Sequence, residues 1–115
     1  MDAAGVSRER ALHEARKAAF LELLQREFWL PRGVTDLPEI LAASLSSLAA
    51  SPAGLLIANL EDFWSETDPQ NIPGTGSERP NWRRKTRECV AVWSQSPHVT
   101  RMIRTIDLLR KGKRR

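Results

Sequence analysis

Between residues 71 and 85 the chain reads Asn-Ile-Pro-Gly-Thr-Gly-Ser-Glu-Arg-Pro-Asn-Trp-Arg-Arg-Lys, the stretch whose residue types and spacing best suit chemistry. Pro73 fixes φ, and Gly74 and Gly76 permit backbone that a side chain would obstruct. The segment 71–76 is therefore a turn builder that lets main-chain N–H groups face a ligand. Its two glycines do not make a phosphate loop, because the Gly-rich, Lys-Ser/Thr order is missing. Asn81 next to Trp82 sets an amide donor and acceptor beside a large flat ring. Sugars suit that pair: an amide bonds hydroxyls in both directions, and an indole face covers the C–H patch of a pyranose.

Arg83, Arg84 and Lys85 follow, with Arg79 and Arg87 nearby, and an acidic group (Glu61, Asp62, Glu66 and Asp68) surrounds Phe63 and Trp64. Opposite charges on the two sides of the loop predict ion pairs that lock both of its ends. Arginines with an aromatic residue also fit single-stranded nucleic acid, through stacking and phosphate pairing. That chemistry favours several aromatics on one face, and the basic segment has one Trp. A small basic module that binds RNA or a protein is the alternative function.

The elements that must position this loop are read from periodicity. Residues 7–28 predict a helix with Leu12, Ala15, Ala19 and Leu23, flanked by Phe20 and Leu24, on one stripe, Ser7 as N-cap, and Pro31 and Gly33 as its stop. His13 lies on this helix with no second His or Cys at metal spacing, so no metal site is expected. A second helix is expected over 36–50, with Pro38 in its first turn and Ile40, Leu41, Leu45 and Leu48 buried. Residues 55–60, Leu-Leu-Ile-Ala-Asn-Leu, form a short continuous apolar run after a Pro-Ala-Gly turn, which predicts a strand covered on both faces. Residues 61–87 then read as a rim loop, and a last helix is expected over 98–111 with Val99, Met102, Ile103, Ile106 and Leu109 on its stripe. Three helices and one strand make an incomplete α/β unit, mostly helical, whose strand needs partners outside these 115 residues.

Composition sets the remaining bounds. The chain is 41% apolar and 28% charged, the balance of a globular domain, and its length suits one domain. The formal charge of +4 is local: five of the last six residues are Lys or Arg. A solvated terminus accounts for them. The apolar stretch 40–60 is broken by Ser, Pro, Gly and Asn and does not read as a membrane span. The N-terminus has no apolar segment of the signal-peptide kind, and the single Cys89 excludes an internal disulfide. A reducing cytoplasm is the expected location.

In order and spacing, Asn59-Leu60-Glu61-Asp62-Phe63-Trp64, then Gln70-Asn71-Ile72-Pro73-Gly74-Thr75, then Pro80-Asn81-Trp82-Arg83-Arg84-Lys85 is similar to the C-terminal end of the 4-α-glucanotransferases. These enzymes are also called amylomaltases or disproportionating enzymes. The resemblance implies a (β/α)8 TIM barrel with 55–60 as its final strand and 61–87 on the rim of the glucan groove. It implies transfer of α-1,4-glucan segments between maltooligosaccharides or glycogen, with retention and no cofactor. A carboxylate nucleophile and a second carboxyl acting as acid and then base would carry that reaction. The family's three catalytic carboxylates map to no residue of this chain, and Glu61, Asp62, Glu66 and Asp68 match a structural turn instead. The chain alone is therefore expected to be inactive. Asn71, Asn81 and Trp82 are its expected glucan contacts; Pro73, Gly74, Arg83 and Arg84 are expected to shape and lock the loop.

Overall fold

The computed structural model describes residues 3–79 and 81–112; Pro80 of the Pro-Asn-Trp motif and the last three residues of the basic tail lie outside them. Along the described chain run α1 (Ala3–Arg26), α2 (Leu37–Ala50), a 3-10 turn (Leu60–Trp64), the single-turn α3 (Val90–Trp93) and α4 (Pro97–Lys111).

Helix α2 is the element on which the others meet. Asp36 precedes it in extended conformation and Pro38 stands in the first turn, where a missing N–H leaves no gap in the ladder. At the far end the Ser51 N–H and hydroxyl both donate to the Leu48 carbonyl, and Pro52 prevents another turn. One side of α2 gives Leu45 to a cluster with Phe63, Val99 and Met102. Another gives Ala43 to a cluster with Leu24 and Leu30. Ala49 is fully buried. Small residues at these contacts let neighbouring backbones come close, and each large apolar side chain so buried contributes about 1.5–3 kcal/mol.

Helix α1 uses little of its length for packing. Leu24 is buried and Leu21 half-buried near its C-terminal end, whereas Leu12, Phe20 and Leu23 of the expected stripe are exposed. The projecting helix gives the molecule extents of 52 × 36 × 27 Å and a radius of gyration of 17.0 Å. A compact chain of this length would have about 13 Å.

The C-terminus of α1 closes in a Schellman motif. The Trp29 N–H donates to the Leu24 carbonyl and the Phe28 N–H to the Gln25 carbonyl, at 2.9 and 3.2 Å, and Trp29 packs near Leu24. The motif requires a left-handed residue at Phe28, whose φ is 61°, where glycine is the usual occupant. Replacing Phe28 with Gly is expected to stabilise the fold by about 0.5–1 kcal/mol, the left-handed strain relieved less the entropy that Gly adds to the unfolded chain. Thermal unfolding of Phe28→Gly checks this.

The expected final barrel strand is not formed: among the described residues there is no strand at all, and the α/β barrel reading gives way to a helical one. Residues 55–59 belong to no helix or strand and take no ladder hydrogen bonds. Leu56, Ala58 and Leu60 are half-buried, while Leu55 and Ile57 are 74% and 83% exposed. An apolar run keeps its alternation here, but a strand also needs a hydrogen-bonding neighbour. In place of one, the Arg110 guanidinium donates to the carbonyls of Ala53 and Gly54 at 2.6 and 2.8 Å. Leu60 then starts the 3-10 turn that swings Phe63 into the core. The run is therefore covered on one side only, not on both faces.

Candidate functional site

The 3-10 turn sets the floor of the site. It buries Glu61 along with Phe63, and Ser65 ends it in a left-handed conformation (φ 55°) that turns Glu66 back toward the same side. Trp64 lies 6.3 Å from Trp93, centroid to centroid, so the short α3 braces the turn from behind.

Arg84 reaches into this acidic turn from the far end of the loop. Its guanidinium lies 3.0 Å from Glu61 Oε1 and 3.3 Å from Glu66 Oε2, and it donates to the Asp68 carbonyl. Arg84 Nε is 3.4 Å from Asp68 Oδ2, within ion-pair distance but without hydrogen-bond alignment. Arg87 adds a contact to Glu66 Oε1 at 3.1 Å, and Arg79 one to Asp68 Oδ1 at 3.1 Å. Gln70 Nε2 ties the two sides together, donating to Glu61 Oε1 and to the Arg84 carbonyl at 2.9 and 3.0 Å. Opposite charges at 61–68 and 79–87 thus close 61–87 into one body. Arg83 makes no hydrogen bond or ion pair among the described residues and is exposed.

The Glu66 side chain is only 4% exposed. The Asp68 N–H, foremost, holds its carboxyl below the ordinary glutamate value; burial opposes this, and the Thr67 N–H, Arg87 and Arg84 assist. A group whose folded pKa is depressed contributes stability that is fully present above its unfolded value of about 4.3 and disappears as pH falls through the lower folded value. Acid is therefore expected to free the loop at its Glu66 anchor, seen as a tryptophan fluorescence change below about pH 4. In the Glu66→Gln variant that change should weaken.

At the turn itself Asn81 works on the loop. Its Oδ1 accepts from the Ile72 N–H at 3.1 Å, and its Nδ2 donates to Thr75 Oγ1 at 2.9 Å. Thr75 in turn donates through its hydroxyl to the Ile72 carbonyl at 2.7 Å. Gly74 takes φ 83°, a left-handed position that the turn requires, directly after Pro73. Glu78 folds back onto the Gly76 N–H at 2.9 Å, which lowers its carboxyl pKa.

Trp82 differs from its neighbours. Its N–H donates to the Gln70 carbonyl at 2.8 Å, which holds the residue at φ 60° and leaves it 75% exposed. Beside it opens a cleft of about 440 Å³ with Asn59, Glu61, Asp68, Gln70 and Asn71 among its lining residues. Asn71 and Trp82 therefore share one groove, whereas Asn81 and Arg83 line a smaller hollow of about 320 Å³ with Thr75 and Ser77. Gln70 and Asn59 are the lining residues that the sequence reading missed; an amide on either side of an acidic turn is a weak signal by itself. A ring, three amides and carboxylates around one open cleft can hold a polyhydroxylated ligand, the ring by contact and the others by hydrogen bonds.

No helix of the described residues is long and apolar enough to cross a membrane. No curated protein and no solved structure matches the chain. The family model described as 4-alpha-glucanotransferase matches residues 6–91 of the 115, and the chain belongs to that family.

Proposed function

We propose that this chain supplies a wall of the α-1,4-glucan site of a 4-α-glucanotransferase, with the cleft beside Trp82 receiving the sugar chain. The observation that carries this reading is the indole held largely exposed, at a strained backbone position, over a cleft lined by amides and carboxylates. A folded chain has no packing use for such a ring. A glucose ring has a C–H face that the indole covers and hydroxyls that Asn71 and Gln70 can bond. Pro73, Gly74, Asn81 and Arg84 set the shape of the loop beneath it, and Asn81 reaches a sugar only where its loop bonds allow. Arg79, Arg84 and Arg87 are engaged by carboxylates, which leaves Arg83 and Lys85 as the loop's cations for any polyanion and makes an RNA-binding role the poorer fit.

The transfer itself, retaining glycosyl exchange between maltooligosaccharides or glycogen, is proposed for the whole enzyme and not for this chain alone. A retaining pair needs one ionised nucleophile and one carboxyl kept protonated near neutral pH by a raised pKa. The acids of the turn have other partners. Glu61 and Glu66 face Arg84, Asp68 faces Arg79, Asp62 accepts from Asn59, and Glu66 is shifted downward, away from acid catalysis. The purified 115-residue chain is expected to bind maltoheptaose while leaving maltotriose undisproportionated. Binding checked by calorimetry and turnover checked by glucose release separate the two claims; turnover by this chain would refute the second.

A further inference from the structure

We infer that Phe28 is the platform of a second α-glucan contact, at the C-terminal end of α1 and separate from the cleft beside Trp82. The inference rests on the glucan reading above for the class of ligand. Its own basis is one residue that is unfavourable twice over. Phe28 occupies the left-handed position of the Schellman motif, where Gly would be unstrained, and it is 94% exposed. Neither cost serves the fold. Trp29, the next residue, makes the apolar contact that the motif uses, so Phe28 packs nothing.

The surroundings of the ring point to the kind of ligand. Phe28 lines a cleft of about 660 Å³ with Glu22, Gln25, Arg26 and Arg32. Glu22, Gln25 and Arg26 lie three and four residues apart on α1, so they share a helix face beside the ring. A protein partner would call for apolar neighbours around an aromatic anchor. This ring is framed only by an amide, a carboxylate and two guanidinium groups. That is the complement of a pyranose, which has one apolar face and a rim of hydroxyls able to donate and accept. Trp82 with Asn71 and Gln70 presents the same kinds of group, and the two clefts share no residue.

Titration of the 115-residue chain with maltoheptaose, followed amide by amide in ¹H–¹⁵N spectra, tests this. Two sets of shifts are expected, one over residues 22–32 and one over 59–82, with separate binding curves. Phe28→Gly is expected to weaken the first set at least tenfold, leave the second unchanged and raise the Tm, so lost binding cannot be laid to lost folding. Phe28→Tyr, which keeps the ring, should retain both. If residues 22–32 do not respond to maltoheptaose, or respond equally in Phe28→Gly, the inference is overturned. Shifts at 22–32 without any at 59–82 would instead sink the Trp82 groove and leave this site standing; silence at both would remove both.

Discussion

Arg84→Met is expected to cost about 2–3 kcal/mol of unfolding free energy, whereas Arg83→Met should change it by no more than about 0.5 kcal/mol. The two residues are adjacent and chemically identical, so the contrast rests on placement. The Arg84 side chain is 27% exposed and serves Glu61 and Glu66, whose side chains are 11% and 4% exposed. Methionine would fill the space yet leave two nearly buried carboxylates without their shared cation. For a fully buried pair such a loss reaches about 3–5 kcal/mol; partial exposure of Arg84 lets water reach the site and lowers it. Arg83 leaves nothing unpaired when removed. Urea unfolding of both variants, read by tryptophan fluorescence, measures the difference. Equal midpoints would show that the loop is held by the turn around Asn81 and not by Arg84.

What the sequence made legible follows the range of the forces involved. Helical content is local: the 3.6-residue stripe of α4 and the Asp36-Leu37-Pro38 start of α2 are readable without knowing what packs where. The attraction between 61–68 and 79–87 was also legible, because opposite charges on two sides of a turn-rich loop leave few other arrangements. Which arginine sits at the centre was not. Arg83 and Arg84 differ only in the direction the backbone gives them, and that direction comes from Trp82 at φ 60° immediately before them.

The strand at 55–60 failed for a related reason. A strand is a property of two segments, and composition describes one. Leu55 to Leu60 carries the residues of a buried strand and keeps the side-chain alternation of one, yet among the described residues no neighbour supplies its hydrogen bonds, and Arg110 takes the preceding carbonyls. The stripe on α1 shows the same limit from the other side. Leu12 and Leu23 lie on α1 as expected, yet both stay exposed among the described residues. Asn81 was readable as an amide in a turn, but its distribution between Ile72 and Thr75 depends on the distance the loop folds back.

Replacing Trp82 should separate the ring's two possible roles. Trp82→Ala and Trp82→Gly both remove the indole, and both are expected to weaken maltoheptaose binding at least tenfold, about 1.4 kcal/mol. They differ in the backbone. Alanine keeps the left-handed strain at φ 60°, whereas glycine relieves it, so Trp82→Gly should match or exceed the parent in stability while Trp82→Ala does not. Because the ring is 75% exposed, little packing is lost in either variant. A structural role for Trp82 would make both variants unstable, with Ala and Gly ranked by lost contacts. A binding role leaves both folded and both weak binders, with Trp82→Phe intermediate because it keeps part of the apolar face. Should Trp82→Ala bind maltoheptaose as the parent does, the cleft beside it holds no sugar, and the strain at Trp82 has some other cause.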